Sequence, residues 1–164
     1  MDKFKEMEKK EYVDWLPSKT LFKTAVIDEA GNVLVSRRVK KDWDSRSEKW
    51  DINGGALDKK DALVGSKPHE VTIIREVSEE SGLKAEAIEC VGFFDSGVKV
   101  SSSEGNIPVC VNGFKCKVKG VRPEVKLSDD EHSESKWVSK DEALAFDFGD
   151  DGGMCREIIR LAFE

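Results

Sequence analysis

A mixed α+β fold, built as an α/β/α sandwich with helices on both faces of one sheet, is what the sequence predicts, and three observations predict it. Strand-like runs come in pairs joined by short turns, helical segments fall between and after those pairs, and no regular strand–helix alternation runs through the chain. The length of 164 residues is enough for one domain with a sizeable core and too little for two ordinary ones. Charged residues at 37% and hydrophobic ones at 38% are globular proportions, with enough apolar side chains to fill that core.

Residues 1–16 form a charged, partly helical lead-in that Pro17 closes. Thr20 to Asp28 is rich in β-branched and aromatic residues, Val33 to Arg38 continues in the same vein, and Glu29-Ala30-Gly31-Asn32 supplies the turn of a hairpin. A polar stretch from Val39 to Lys49 leads to Trp50-Asp51-Ile52-Asn53-Gly54-Gly55 and a second charged loop reaching Gly65. Loops this long in a compact domain tend to be functional. Ser66 as N-cap, Pro68 in the first turn and Gly82 at the left-handed terminal position bracket an α-helix. Ala87 to Val100 and Ile107 to Lys119 then pair as a second hairpin around a turn at residues 101–106. Ser139 and Glu142 make a capping box, with Val138 and Ala143 as its apolar staple, opening a short helix through Phe146. A last helix from Gly153 to Phe163 carries Ile158, Ile159 and Leu161.

The charge balance, 27 Lys and Arg against 33 Asp and Glu for a net −6, disfavours general nucleic-acid binding, which needs a basic footprint to displace counterions. A small anionic ligand remains compatible, because one basic patch or one bound metal outweighs the global field locally. Cys90, Cys110, Cys116 and Cys155 show no CxxC spacing, and neither His69 nor His132 stands at ligand spacing from any of them. Reduced structural thiols and a cytoplasmic location are expected. No apolar run approaches the roughly 20 residues that cross a bilayer, and the charged N-terminus is unlike a signal peptide. No membrane partner is expected, and the sequence carries no signal for an oligomeric state.

The strongest chemical feature is Arg75-Glu76-Val77-Ser78-Glu79-Glu80-Ser81-Gly82-Leu83. On a helix, Glu76, Glu79 and Glu80 stand at i, i+3 and i+4, within an arc of about 100°, while Ile73, Ile74 and Val77 occupy the adjoining face. Like charges so placed repel, and an oxygen-seeking cation such as Mg²⁺ or Mn²⁺ is the natural group to offset the crowding. Arg75, one turn before Glu79, is positioned to pin that carboxylate. A solvated glutamate-rich helix face is the other reading of the same residues.

Arg75-Glu76-Val77-x-Glu79-Glu80-x-Gly82-Leu83, preceded by Gly54-Gly55, resembles the signature of the Nudix (MutT-type) hydrolases. That signature runs glycine, five residues, glutamate, seven residues, then Arg-Glu-aliphatic-x-Glu-Glu-x-Gly-aliphatic. Ala25 to Arg38 resembles the family's opening hairpin, and Trp137-Val138-Ser139 with Glu142 its late strand-to-helix junction, so the likeness covers about residues 20–146. It implies the Nudix fold, a mixed β-sheet between helices, over a domain taken as residues 17–164. It also implies a divalent cation on the signature helix and a substrate built as a nucleoside diphosphate joined to another group. Three positions depart from the pattern. Gly55 to Arg75 encloses 19 residues where the family has 13, which reads as a six-residue insertion around Leu57 to Gly65. Counting back eight from Arg75 reaches Lys67 where the family has glutamate, with Asp58, Asp61 and Glu70 as possible substitutes. Asn53 stands where a proline often precedes the double glycine.

The resemblance implies that Glu76, Glu79 and Glu80 hold Mg²⁺ (or Mn²⁺), that Arg75, Glu79 and Glu80 serve the reaction, and that a phosphoanhydride bond is attacked by water. Glu131, six residues before Trp137 where some Nudix enzymes carry a further carboxylate, is the proton acceptor the resemblance suggests, with Glu134 and Glu80 as competitors and a solvated acidic loop at Asp129-Asp130-Glu131 as the plainer reading. His132 is expected at the surface. Arg37 and Arg38, with Lys40, Lys41, Arg46 and Lys49 behind them, are candidates to grip the far phosphate beside Gly54 and Gly55. A loop balanced by Asp42, Asp44 and Glu48 is the alternative. Trp43, Trp50, Phe93, Phe94 and Trp137 are read as core more than as base-stacking platforms. The function expected is a metal-dependent hydrolase acting on a small-molecule phosphoanhydride such as a (d)NTP or nucleotide derivative. The alternatives are a Nudix-fold module that binds such a ligand without turnover, supported by the missing glutamate and the stretched signature, and an isoprenoid-diphosphate isomerase, for which no cysteine lies near the opening loop.

Overall fold

The computed structural model describes residues 19–64, 67–102, 105–150 and 153–164. The expected lead-in 1–16, the cap Ser66 and the turn residues Ser103 and Glu104 lie outside the described residues. Strands β1 (Lys19–Ile27), β2 (Val33–Arg38), β3 (Trp50–Asp51), β4 (Asn53–Ala56), β5 (Glu86–Ser102), β6 (Gly105–Lys117) and β7 (His132–Val138) form one mixed sheet. Helices α1 (Lys59–Leu63), α2 (Pro68–Ser81), α3 (Lys140–Leu144) and α4 (Met154–Ala162) accompany it.

Both expected hairpins form. The first turns where the Asp28 carboxylate accepts the backbone N–H groups of Ala30 (2.9 Å) and Asn32 (2.7 Å), an Asx-type turn that also uses Gly31 at positive φ. The second pairs β5 with β6 antiparallel through several register shifts. β1 then runs parallel to β6, from Lys19↔Val109 to Ile27↔Lys117, which makes the sheet mixed. Along its other edge β1 pairs antiparallel with β4 (Leu21↔Ala56 to Thr24↔Asn53) and touches β2 at Ile27↔Val33. β2 diverges there to pair with β3 and β7.

Side chains alternate across a strand, so the unbroken apolar run Val33-Leu34-Val35 feeds two cores. Val33 and Val35 join Ala25, Ile52, Ile158 and Ile159 beneath α4, whereas Leu34 joins Phe22, Val26, Ile73 and Val77 beneath α2. Two buried clusters on opposite faces of one sheet are what an α/β/α sandwich requires. The Ser139–Glu142 capping box is present, and α4 buries Cys155, Ile158, Ile159 and Ala162.

Four expectations need correction. The second charged loop contains α1, whose capping box is made by Asp58 and Asp61, aspartates in place of the more familiar Ser/Thr and Glu/Gln pair. The N-cap position of α2 falls on Lys67, which makes no side-chain cap; Pro68 opens the helix and Gly82 ends it at φ 70°, as expected. Trp43 and Phe93 are not core but 79% and 78% exposed, while Trp50 packs against Phe146 at 4.6 Å. His132 is buried rather than superficial. All four cysteines are free. Among the described residues no helix is long and apolar enough to cross a membrane.

Candidate active site

The site is built where α2 lies against β4. Gly55 permits that approach, and Gly54 lets β4 lie close to β1. A Cβ on Gly54 would stand 2.0 Å from the Phe22 carbonyl oxygen, and one on Gly55 would stand 2.2 Å from Glu76 Oε1. With Thr72, Ile73 and Val77 buried, the helix delivers Glu76 and Glu80 to the strand and leaves Glu79 outside. Glu80 is 5% exposed, and its Oε2 accepts hydrogen bonds from Asn53 Nδ2 (2.8 Å) and the Gly54 backbone N–H (3.0 Å). Asn53, where the family often has proline, is thus a donor to the buried acid. Loss of solvent raises the Glu80 carboxyl to about 8, because the charged form gives up hydration that two N–H donors only partly replace. Burial also raises Glu76, against the pull of Arg75 Nη1 at 2.8 Å.

Arg75 organises the outer side of this helix. Its Nη2 reaches Asp61 Oδ2 at 2.8 Å and the Ala56 carbonyl at 3.3 Å, while its Nη1 reaches Glu76 and, at 3.1 Å, Glu79. Asp61 is 3% exposed and also accepts from Thr72 Oγ1 at 2.9 Å. The guanidinium beside it lowers its carboxyl to about 2. This corrects the register read from the sequence. Five residues after Gly55 comes Asp61, so an aspartate occupies the place of the family's glutamate and the six extra residues fall between Asp61 and Arg75. Lys67 instead pairs with Glu70 at 3.1 Å on the surface, and Asp58 caps α1. Counting forward from the glycine as well as back from the arginine would have found Asp61.

A cleft of about 350 Å³ opens beside the two glycines. Glu76, Glu80 and Glu131 line it together with the cations Lys23, Arg38 and Lys41. Asp51, 1% exposed, anchors the first two of these and Arg46: its carboxylate meets Lys23 Nζ at 2.8 Å, Arg38 Nη1 at 2.9 Å and Arg46 Nη2 at 3.3 Å. Burial alone would raise this carboxyl, yet the three cations hold it far below the usual carboxylate range. The two expected arginines therefore part company. Arg38 lines the cleft, whereas Arg37 turns to the Glu48 carbonyl at 3.0 Å and lies near Glu134 at 4.0 Å, outside it. Lys49 pairs with Asp147, and Glu134 with Lys136 at 3.0 Å.

Glu131 and His132 enter from the start of β7. Glu131 is exposed on the cleft wall; His132 is 4% exposed, and its Nδ1 has no hydrogen-bond partner among the described residues. Burial pushes the imidazole below its ordinary pKa. One ligating atom each from Glu80, Glu131 and His132 lie within 4.8 Å of one another. Lys23, Asp51 and His132 were missed as site residues. Lys23 carried a signal, as the lone charge in the strand-like run of residues 20–27.

The NUDIX domain family matches residues 22–155. The chain belongs to that family. Solved structures share the fold. A MutT protein from Methanosarcina mazei Go1 is similar at 24% identity and a TM-score of 0.55, covering 89% of this chain and 93% of its own. The NUDIX domain of Shewanella oneidensis NrtR, complexed with ADP ribose, is similar at 15% identity and a TM-score of 0.64, covering 96% and 100%. A binary complex of a C. elegans Ap4A hydrolase is similar at 18% identity and a TM-score of 0.58, covering 87% and 93%. No curated protein matches the sequence.

Proposed function

We propose that the chain hydrolyses a phosphoanhydride bond in a nucleoside diphosphate-linked substrate, a (d)NTP or a nucleotide derivative, with Mg²⁺ or Mn²⁺ bound. The observation that carries this reading is a cleft of mixed charge, lined by the carboxylates Glu76, Glu80 and Glu131 and by the cations Lys23, Arg38 and Lys41. The donor set suits a hard divalent cation. Glu80 is a buried acid with no protein cation in ion-pair range among the described residues, and Glu76 and Glu131 share its cleft. Glu76, Glu80 and Glu131 would hold the ion. Glu79, named with them from the sequence, is 60% exposed and turned to Arg75, so we assign it to fixing that arginine. When bound, such an ion neutralises phosphate charge and lowers the pKa of a water.

The chain's own residues supply the rest. Lys23, Arg38 and Lys41 bind phosphate oxygens, and Asp51 holds the first two in place. Glu131, exposed on the cleft wall, would hold the ion through one oxygen and leave its other oxygen to accept the proton of the attacking water. Arg75, locked by Asp61, holds Glu76 in place. The ADP ribose and Ap4A hydrolase neighbours support a nucleotide-like ligand. The binding-module alternative rested on a missing glutamate and a stretched signature; Asp61, five residues after Gly55, supplies a carboxylate in the first case, and turnover separates the two readings. No cysteine lines the cleft to favour an isomerase. The test is incubation with nucleoside triphosphates, dinucleoside polyphosphates and nucleotide sugars, with Mg²⁺ or Mn²⁺ and then with EDTA. Phosphate, pyrophosphate or nucleotide release that the chelator abolishes is expected; tight binding of a panel member with no release overturns the hydrolytic reading.

A further inference from the structure

The buried ionisable groups of the cleft are satisfied by the protein with one exception. Asp51 has three cations, Lys23 has Asp51, and Glu80 has two N–H donors. His132 has none of these, though it is as deeply buried as they are. Its position is imposed by the sheet. β7 pairs with β2 so that His132 stands opposite Arg38, just past the register shift between Arg37 and Arg38. The imidazole is thereby placed on the cleft wall, with Glu80 and Glu131 within 4.8 Å of one of its nitrogens.

We propose that His132 supplies a nitrogen ligand to the divalent cation shared by Glu80 and Glu131, and that this shifts the site's preference from Mg²⁺ toward Mn²⁺ and its neighbours in the first transition row. The inference rests on the cleft being a cation site, as proposed above, and adds the ligand that sets which cation. A purely carboxylate and water site suits Mg²⁺, which holds to oxygen donors in a near-octahedral shell. An imidazole nitrogen is a softer donor that favours Mn²⁺, Fe²⁺, Co²⁺ and Zn²⁺ over Mg²⁺. It is also a neutral one, so it adds affinity without adding to the repulsion between Glu80 and Glu131.

The experiment is pulsed EPR of Mn²⁺ bound to the untagged full chain, with cation affinities measured by calorimetry. His69, the one other histidine, stacks on Phe114 at 5.7 Å and does not line the cleft. Expected is a ¹⁴N coupling to bound Mn²⁺ in the wild type and in His69→Gln, absent in His132→Gln. Growth on ¹⁵N-histidine should replace it with a ¹⁵N coupling in the wild-type chain, a result that needs no variant to fold. The ratio of Mn²⁺ to Mg²⁺ affinity should fall by about tenfold in His132→Gln. Mn²⁺ bound at unit stoichiometry with no histidine nitrogen coupling overturns this inference and leaves the cation site standing. No Mn²⁺ binding in the wild type overturns both.

Discussion

Replacing Asp61 with Asn isolates the contact that the sequence concealed. The wild-type carboxylate is 3% exposed and takes Arg75 Nη2 at 2.8 Å, Thr72 Oγ1 at 2.9 Å and the Asp58 backbone N–H at 3.2 Å. An asparagine oxygen can keep the last two, but the ion pair is lost. Breaking a buried pair costs about 3–5 kcal/mol, yet the Arg75 side chain is 28% exposed and water can take up part of its charge, so a loss of about 2 kcal/mol is expected. The pH dependence follows from the depressed carboxyl. Its folded value of about 2 lies below the ordinary 3.8, so its contribution is full above about pH 4 and disappears as pH falls toward 2. Urea denaturation should therefore show a wild-type advantage at pH 7 that narrows at pH 3. With Asp61 gone, Arg75 is free to leave Glu76, and kcat/KM for the best substrate should drop about 10- to 100-fold. A variant within about 0.5 kcal/mol of wild type at pH 7, with unchanged turnover, would refute the role given to this pair.

Further outcomes follow from the same geometry. Glu80→Gln should abolish divalent-cation binding by calorimetry while keeping the fold, since an amide oxygen can still accept from Asn53 and Gly54. Because the folded Glu80 carboxyl titrates near 8, above its unfolded value, metal-free wild type should lose stability as pH rises from about 5 to about 8. The Gln variant should lack that slope in EDTA, and Mn²⁺ should remove it from the wild type. Gly55→Ala should displace Glu76, whose Oε1 would lie 2.2 Å from the new Cβ, and weaken the cation affinity at least tenfold with only a modest change in Tm. Asp51→Asn leaves Lys23, Arg38 and Arg46 without their shared anion and should cost about 3–5 kcal/mol in chemical denaturation, together with most of the turnover.

What was legible from sequence depended on whether a residue's role is set by its neighbours in the chain. The β1–β2 hairpin announced itself through β-branched residues around an Asp28–Asn32 turn, and α2 through Pro68 and Gly82, because those signals act within a few residues. β4 gave no such signal. Asn53-Gly54-Gly55-Ala56 has little strand propensity and is a strand because β1 has a free edge there and α2 needs backbone without side chains to pack close. α1 was hidden by its charge and by an aspartate capping box. At the site, the signature placed Glu76, Glu79 and Glu80 on one helix but not their directions; burial of Glu80 and exposure of Glu79 depend on where β4 passes. His132 shows the same limit more sharply. In His-Ser-Glu-Ser-Lys-Trp-Val only the two ends are buried, and the β2–β7 register decides which polar residue faces the cleft.

The central claim, that this cleft holds a divalent cation at Glu80, is tested most directly by anomalous scattering from crystals soaked in Mn²⁺. The account predicts one strong peak in the cleft, in ligating contact with Glu80 and Glu131 and on the helix side that carries Glu76. Well-ordered crystals at saturating Mn²⁺ with no peak there, and with Glu80 still bonded only to Asn53 and the Gly54 backbone, would contradict it.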